Sequence, residues 1–87
     1  MAVRVQLTYD MGKELGESLI EIEGARFVKD VVRLTRERFA SGSGSFDTLS
    51  RVTAIALNGV LINYRKGMKT PVADGDTVAF VKAAAGG

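Results

Sequence analysis

The sequence contains no cysteine, no histidine and no tryptophan, and only one proline, among its 87 residues. Without cysteine there are no disulfides, cysteine-ligated metal sites or thiol nucleophiles. Without histidine, the commonest general acid–base group and the commonest protein metal ligand are both missing. No apolar run approaches the roughly 18 residues that a membrane-spanning helix needs, and the first residues do not form a signal peptide. The composition argues against an autonomous enzyme and favours a cytoplasmic protein without a membrane association.

An excess of charge of one sign is also lacking. Twelve basic and ten acidic residues give a formal net charge of +2, and the two signs are mixed along the chain. This excess is too small to indicate a nucleic-acid partner. A chain of this length forms one small domain that buries only about 60% of its unfolded surface, so there is little room for an enclosed active site.

Two alternating stretches near the N-terminus predict strands. Residues 2–9 alternate, with the odd positions, Tyr9 included, facing the core. Residues 10–16 contain two glycines and three charges, which indicates a turn or irregular connection. Residues 17–23 alternate again and place isoleucines on one face and glutamates on the other. The two strands are therefore predicted to pair as an antiparallel hairpin.

The hydrophobic period changes after Gly24. Residues 25–40 carry apolar side chains on one broad arc at helical spacing and charged side chains opposite, which predicts an amphipathic helix of about four turns. The Ser41-Gly42-Ser43-Gly44-Ser45 stretch is typical of a flexible connection. Residues 46–50 are expected to add a short helical turn that places Phe46 and Leu49 in the core.

The C-terminal half is predicted to hold three further strands. These are residues 52–57, 60–62 and 77–81. Asn58-Gly59 between the first two is a strong signal for a tight hairpin, because both residues tolerate positive φ. Residues 63–73 form a polar connection, followed by an Asp74-Gly75-Asp76 turn whose carboxylates are expected to cap the backbone.

This order of elements predicts an α+β fold, a mixed four- to five-stranded sheet packed on one main helix. The first and last strands are expected to be parallel neighbours at its centre. We expect residues 1–82 to form a single domain and residues 83–87 to form a flexible tail. The last two residues, Gly86 and Gly87, carry no side chains, and five extended residues reach about 17 Å. Such a tail can enter a narrow channel and present its carboxylate to another protein's active site.

A family resemblance rests on the run from Thr70 to Phe80, which contains the Asp-Gly-Asp turn and an apolar strand and is followed by Gly86-Gly87. This combination resembles the C-terminal signature of ubiquitin-like sulfur-carrier proteins. These include the small subunit of molybdopterin synthase, the thiamine sulfur carrier and ubiquitin-related archaeal modifiers. The segments 13–16 and 56–59 also fit the pattern. The resemblance implies a β-grasp (ubiquitin-like) fold.

The resemblance also implies a function. In the family, an adenylating enzyme of the ubiquitin-activating type uses ATP to activate the terminal carboxylate, which then becomes a thiocarboxylate. Gly87 would be the acceptor and Gly86 its spacer, with no catalytic residue and no permanently bound cofactor or metal. Molybdopterin biosynthesis is favoured, with the large subunit of molybdopterin synthase as a partner. The alternatives are a modifier joined through Gly87 to target lysines, with tRNA thiolation as a further role, and a β-grasp interaction module without C-terminal chemistry.

Two departures from the family pattern concern the partner. Ala83, Ala84 and Ala85 stand where many relatives carry a proline pair, so the tail should lose more entropy when a partner orders it. The segment from Tyr64 to Lys69 is longer and more basic than expected for the molybdopterin-synthase subunit. We expect the partner surface to surround the root of the tail. Arg65, Lys66 and Lys69 are its candidate rim charges, and Phe80 is either its apolar anchor or a core residue.

Overall fold

The computed structural model describes residues 2–40 and 45–82 and contains a five-stranded sheet in the order β2-β1-β5-β3-β4. The strands are β1 Ala2–Gln6, β2 Leu19–Glu23, β3 Thr53–Leu57, β4 Val60–Leu61 and β5 Thr77–Lys82. The helices are α1 Tyr9–Leu15, α2 Val28–Arg38 and α3 Ser45–Ser50, with short 3-10 turns at Ile62–Tyr64 and Gly67–Lys69. β1 and β5 are parallel and the other pairs are antiparallel. The predicted α+β architecture and its central parallel pair are confirmed.

The connection between β1 and β2 is a helix, so the prediction of an irregular turn over residues 10–16 was wrong. Thr8 caps α1, its Oγ1 accepting from the Met11 N–H at 3.1 Å. Gly16 ends the helix at φ 86°, a left-handed conformation that favours glycine. Gly12 lies so close to the residue before β2 that an added Cβ would be 3.1 Å from the Ser18 Cβ. The glycines that looked like turn residues therefore fit a helix packed tightly against the chain that follows it.

Tyr9 was also predicted wrongly, because it begins this helix and does not extend β1 into the core. Its side chain is 80% exposed, whereas Val3, Val5 and Met11 are fully buried. The alternation of β1 ends at Leu7, and Met11 fills the core position that Tyr9 was expected to take. α1 exposes an aromatic side chain at its first residue as a result.

The main helix, α2, packs its apolar arc on the sheet as predicted. Val28, Val31 and Val32 are buried on that arc, as is Thr35, whose hydroxyl donates to the Val31 carbonyl oxygen at 2.7 Å. At the N-terminus, Asp30 accepts from the backbone N–H groups of Arg26 and Phe27, both at 3.1 Å. Valines are weak helix formers, so the tertiary packing and this cap determine where α2 forms. Among the described helices, none is long and apolar enough to cross a membrane.

The hairpin between β3 and β4 has the predicted turn, with φ of 50° at Asn58 and 86° at Gly59. The Asn58 amide also links this turn to the start of β5. Its Oδ1 accepts from the Thr77 N–H at 2.9 Å, and its Nδ2 donates to Asp76 Oδ1 at 3.0 Å. Asp76 Oδ2 accepts from the Ala73 N–H at 2.7 Å, and Asp74 Oδ1 accepts from the Ala2 N–H at 2.8 Å. The predicted backbone capping by both carboxylates is confirmed.

A single cluster of buried side chains fills the space between the sheet, α2 and α3. It includes Phe46, as predicted, and Leu49 packs against it. Phe80 belongs to the same cluster, at 4% exposure, with its ring 5.6 Å from that of Phe46 in an edge-on arrangement. Ile62, predicted to extend β4, instead begins a 3-10 turn and is buried in the core. The Ser-Gly stretch lies outside the described residues except for Ser45, which begins α3.

The two aromatic neighbours on β5 and α3 give a test of this core. Replacing Phe80 with Ala should lower the free energy of unfolding by about 3–5 kcal/mol, because it removes a buried ring and leaves a cavity. Val81→Ala, on the next residue of the same strand, should cost roughly 1 kcal/mol, because Val81 lies on the other face and is only half-buried. Urea denaturation of the two variants measures both values. Equal losses would contradict the placement of Phe80 in the core.

The cap of α2 makes stability depend on pH. The backbone N–H groups of Arg26 and Phe27, followed by the charges of Arg33 and Lys29, hold the pKa of Asp30 below its ordinary value. The folded state therefore favours the carboxylate, and this contribution is present above the unfolded pKa and is lost as pH falls through the lower folded pKa. Asp30→Asn should lower the melting temperature at pH 7 and flatten its decline on acidification. Thermal denaturation at pH 7 and pH 3 checks this, with Glu23→Gln as the control that should leave the decline unchanged.

Candidate functional site

The predicted reactive residues Gly86 and Gly87, together with Ala83, Ala84 and Ala85, lie outside the described residues. The described chain ends at Lys82, the last residue of β5, which we call the tail root. β5 lies between β1 and β3, where Gln6 is level with Ala79 and Thr53 is level with Lys82. β5 is therefore paired on both sides over residues 78–79, and the tail root itself is held by its pairing with Thr53 of β3.

The sheet face opposite α2, here called the outer face, is largely apolar in the half next to the tail root, with Gln6 as the polar exception. One row crosses the sheet in this half, since the strand registers align Leu61, Ala56, Ala79, Gln6 and Leu19. A second row, nearer the tail root, pairs Ala54 with Val81. At the other end of the outer face, Thr77, Arg4 and Glu21 are aligned and polar.

The side chains of these rows give the outer face a shallow shape. Alanines at positions 54, 56 and 79 form its floor, and leucines at positions 19 and 61 stand towards its two edges. Leu19 is 57% exposed, and Leu61 and Val81 are half-buried. Ala54 and Ala79 are half-buried, and Ala56 is only 6% exposed. The outer face next to the tail root is thus a largely apolar surface beside the end of β5.

Two exposed apolar side chains flank the tail root from neighbouring strands. Val52, 67% exposed, immediately precedes Thr53, the partner of Lys82. Gln6 is level with Ala79, and β1 and β5 are parallel. Tyr9 follows Gln6 by three residues and Lys82 follows Ala79 by three, so Tyr9, which is 80% exposed, lies at the tail-root end of the sheet. The sequence analysis missed both as site residues. Each is an apolar side chain just beyond the end of a strand. The sequence alone does not distinguish such a position from a buried core position.

Phe80, one of the candidate partner contacts, is a core residue and not an outward anchor. Its side chain shares the inner face of the sheet with Val78, and the two pair with Ile55 and Leu57 of β3. The outward side chains of β5 are those of Ala79 and Val81. The apolar contact expected at Phe80 is therefore available one residue later, at Val81.

The candidate rim charges do not surround the tail root. Lys66 donates its backbone N–H to the Thr70 hydroxyl at 3.1 Å, and Lys69 donates its own to the Lys66 carbonyl oxygen at 3.1 Å. The Thr70 carbonyl oxygen accepts from the Val28 N–H at 2.9 Å, at the start of α2. α2 follows β2, whose last residue, Glu23, pairs with Ala2 at the end of the sheet where β5 begins. Lys66 and Lys69, with the adjacent Arg65, thus lie towards the end opposite the tail root.

No cluster of three side chains able to hold a metal ion occurs within residues 2–40 and 45–82. The carboxylates of Asp74 and Asp76 are instead engaged with backbone and amide groups in the turn before β5. The arrangement that remains is a platform: a rigid central strand, an apolar half of the outer face and a tail root at its edge.

Comparison with family models gives one match, to the ThiS family, over residues 8–87. The match therefore includes α1, the whole of β5 and the terminal glycines. Comparison with curated protein sequences finds no match.

Comparison with solved structures finds similar folds over the full length of the chain. One is in the BexX/CysO complex of Amycolatopsis orientalis, with a TM-score of 0.77, 24% identity, and 98% of this chain and 99% of that chain covered. Another is small archaeal modifier protein 1 of Methanosarcina acetivorans, with a TM-score of 0.77, 21% identity, and 99% and 96% covered. A third is in the complex of subunits 1 and 2 of the Helicobacter pylori molybdopterin-converting factor, with a TM-score of 0.62, 26% identity, and both chains fully covered.

The family match spans nearly all of the chain, and the neighbours share its mixed five-stranded sheet and main helix. The β-grasp fold implied by the C-terminal signature is confirmed. The chain belongs to the ThiS family of ubiquitin-like sulfur carriers and modifiers.

Proposed function

We propose that this protein is a sulfur carrier whose reacting group is the Gly87 carboxylate. A ubiquitin-activating-type enzyme adenylates that carboxylate with ATP and releases pyrophosphate. The terminal sulfur of a persulfide then displaces AMP to give an acyl disulfide, and a second thiol cleaves this bond, which releases the thiocarboxylate and leaves a disulfide on the donor. The observation that carries the proposal is the family match through Gly87, on a chain whose last central strand leads into the tail. The protein supplies the reacting group and the docking surface, and its partner supplies the catalysis.

The outer face is the proposed binding surface for the activating enzyme. Binding of the apolar half next to the tail root would position the tail for the adenylation site, since five extended residues reach about 17 Å. Val81, Leu61 and Leu19 would provide the contact area, and the alanines between them would receive a side chain of the enzyme. Tyr9 and Val52, beside the tail root, would contact the enzyme where the tail leaves the sheet.

The proposed recipient of the sulfur is a molybdopterin precursor, held by the large subunit of a molybdopterin synthase. The similarity to the Helicobacter pylori molybdopterin-converting factor complex supports this choice. A modifier function, in which Gly87 is joined to target lysines, is the second candidate. The similarity to small archaeal modifier protein 1 favours it, and both functions begin with the same activated carboxylate.

The carrier chemistry has a direct test. Incubated with its activating enzyme, ATP, a persulfide donor and a reducing thiol, the protein should gain the mass that corresponds to replacement of one oxygen by sulfur. Intact-mass spectrometry measures this gain. A variant with one residue added after Gly87 is the control and should gain nothing, because the activated carboxylate would belong to another residue. An unchanged mass of the original protein, with an enzyme shown to adenylate it, would contradict the carrier function.

The docking role of the outer face is tested by two aspartates on one strand. Val81→Asp places a charge in the apolar half, and Thr77→Asp places the same charge on the same face at the polar end. The first should raise the KM of the activating enzyme by about tenfold or more, because a desolvated apolar contact is lost; the second should change it by less than about twofold. Pyrophosphate release measures both, and circular dichroism confirms that each variant is folded. Equal effects would contradict docking at the apolar half.

A further inference from the structure

The segment from Tyr64 to Lys69 displays its side chains on a fixed scaffold. Thr70, only 1% exposed, accepts from the Lys66 N–H at 3.1 Å and donates its hydroxyl proton to the Gly67 carbonyl oxygen at 2.7 Å. The backbone beyond it pairs with the start of α2, where the Val72 N–H donates to the Arg26 carbonyl oxygen at 2.9 Å. The exposed residues of this segment are therefore held next to the residues that begin α2.

Large apolar side chains are exposed on this part of the molecule. Tyr64 is 81% exposed, Met68 42% and Phe27 36%. Phe27 lies opposite Pro71 in an isolated β-bridge, and the Lys29 Nζ lies 5.6 Å from the centre of the Phe27 ring. Aromatic rings and methionine that remain exposed add little to folding, but they are the residue types enriched in protein interfaces.

The positive charges here differ from those further along α2. Arg33 contacts the carboxylates of Asp30 and Glu37. Arg36 contacts that of Asp47, and Arg38 contacts that of Glu17. Five other exposed cations lie near the start of α2. Within residues 2–40 and 45–82, none of the five forms such an ion pair. The five are Arg26, Lys29, Arg65, Lys66 and Lys69. Exposed apolar side chains and cations that form no close ion pair thus occupy the same region.

Two of these cations are placed against the electrostatics of the helix. Arg26 and Lys29 flank the first residue of α2, where the helix dipole is positive and a cation is unfavourable. Asp30 offsets part of this by accepting from two backbone N–H groups. The two cations therefore add to the positive potential at this end of α2.

We propose that these residues form a second docking surface, the basic–aromatic surface, which binds an acidic protein partner. The partner would present carboxylates to the cations around an apolar side chain that contacts Met68, Tyr64 and Phe27. A protein fits better than a nucleic acid because the net charge is only +2 and thioether and proline groups form part of the surface. This surface acts without C-terminal chemistry, so it does not depend on the proposed carrier function.

The position of this surface allows both ends of the molecule to be occupied at once. It lies towards the end of the sheet where β5 begins, and the tail root lies at the end of the same six-residue strand, about 17 Å away. An acidic partner bound here would leave the outer face next to the tail root accessible to the activating enzyme. Binding at the basic–aromatic surface therefore does not compete with binding at the outer face.

The test is a nuclear magnetic resonance titration of the nitrogen-15-labelled full chain with a defined acidic peptide of Glu, Asp and Phe. Saturable shifts are expected at the amides of residues 64–70 and 26–29, with little change at residues 79–82. The peptide with Ser in place of Phe should bind more weakly, and added salt should weaken both. Lys69→Glu should reduce the affinity by roughly threefold to tenfold, because an exposed attraction becomes a repulsion.

Lys13→Glu is the matched control, since it makes the same charge change on an exposed lysine of α1. It should change the affinity by less than about twofold. Equal weakening by the two variants, shifts centred on residues 79–82, or no saturable binding at millimolar peptide would overturn the proposal. A parallel titration with total tRNA distinguishes the partner classes: binding of tRNA to residues 64–70 with no binding of the peptide would make this a nucleic-acid surface instead.

Discussion

The pairing of β5 between β1 and β3 is the interaction on which the rest of the structure depends. β5 is the last strand in the sequence, yet it is central in the sheet and contributes to both faces. Its inner side chains, Val78 and Phe80, complete the core, and its outer ones, Ala79 and Val81, belong to the apolar half of the outer face. Because the same strand closes the core and ends at the tail root, a stable fold and a fixed starting point for the tail have the same physical cause.

Side-chain hydrogen bonds hold the start of β5 in place. The Asn58 amide joins the β3–β4 turn to the Asp76 carboxylate and the Thr77 backbone, and Asp74 holds the first strand. Carboxylates in this turn satisfy backbone donors that would otherwise be unpaired where a loop enters a central strand. The turn therefore sets the register of β5, and the register sets where the chain leaves the sheet.

The distribution of charge separates two parts of the surface. Arginines along α2 contact carboxylates from neighbouring elements and fasten the helix to α3 and to the chain before β2. Such exposed pairs contribute little to stability individually. The lysines near the start of α2 lie instead among exposed apolar side chains, and these residues make up the proposed basic–aromatic surface. The proposed carrier site and the basic–aromatic surface therefore differ in chemistry as well as in position.

By itself, the sequence determined the elements with a strong period and the turns with a specific requirement. The arc of α2, the alternation of β2 and the positive φ at Asn58-Gly59 are local properties, because side-chain spacing and glycine stereochemistry act within a few residues. Only the tertiary structure decided the role of residues whose local pattern is ambiguous. Residues 9–15 became a helix because Thr8, Gly16 and the contact of Gly12 with Ser18 favour one, and Tyr9 became exposed. Phe80 became a core residue and Val81 an outer one because a central strand is apolar on both faces, so alternation cannot tell which face is buried. The hydrogen bonds of Thr70 hold Lys66 and Lys69 beside the start of α2, away from the tail root. No local sequence pattern indicates this position, because it depends on contacts between distant parts of the chain.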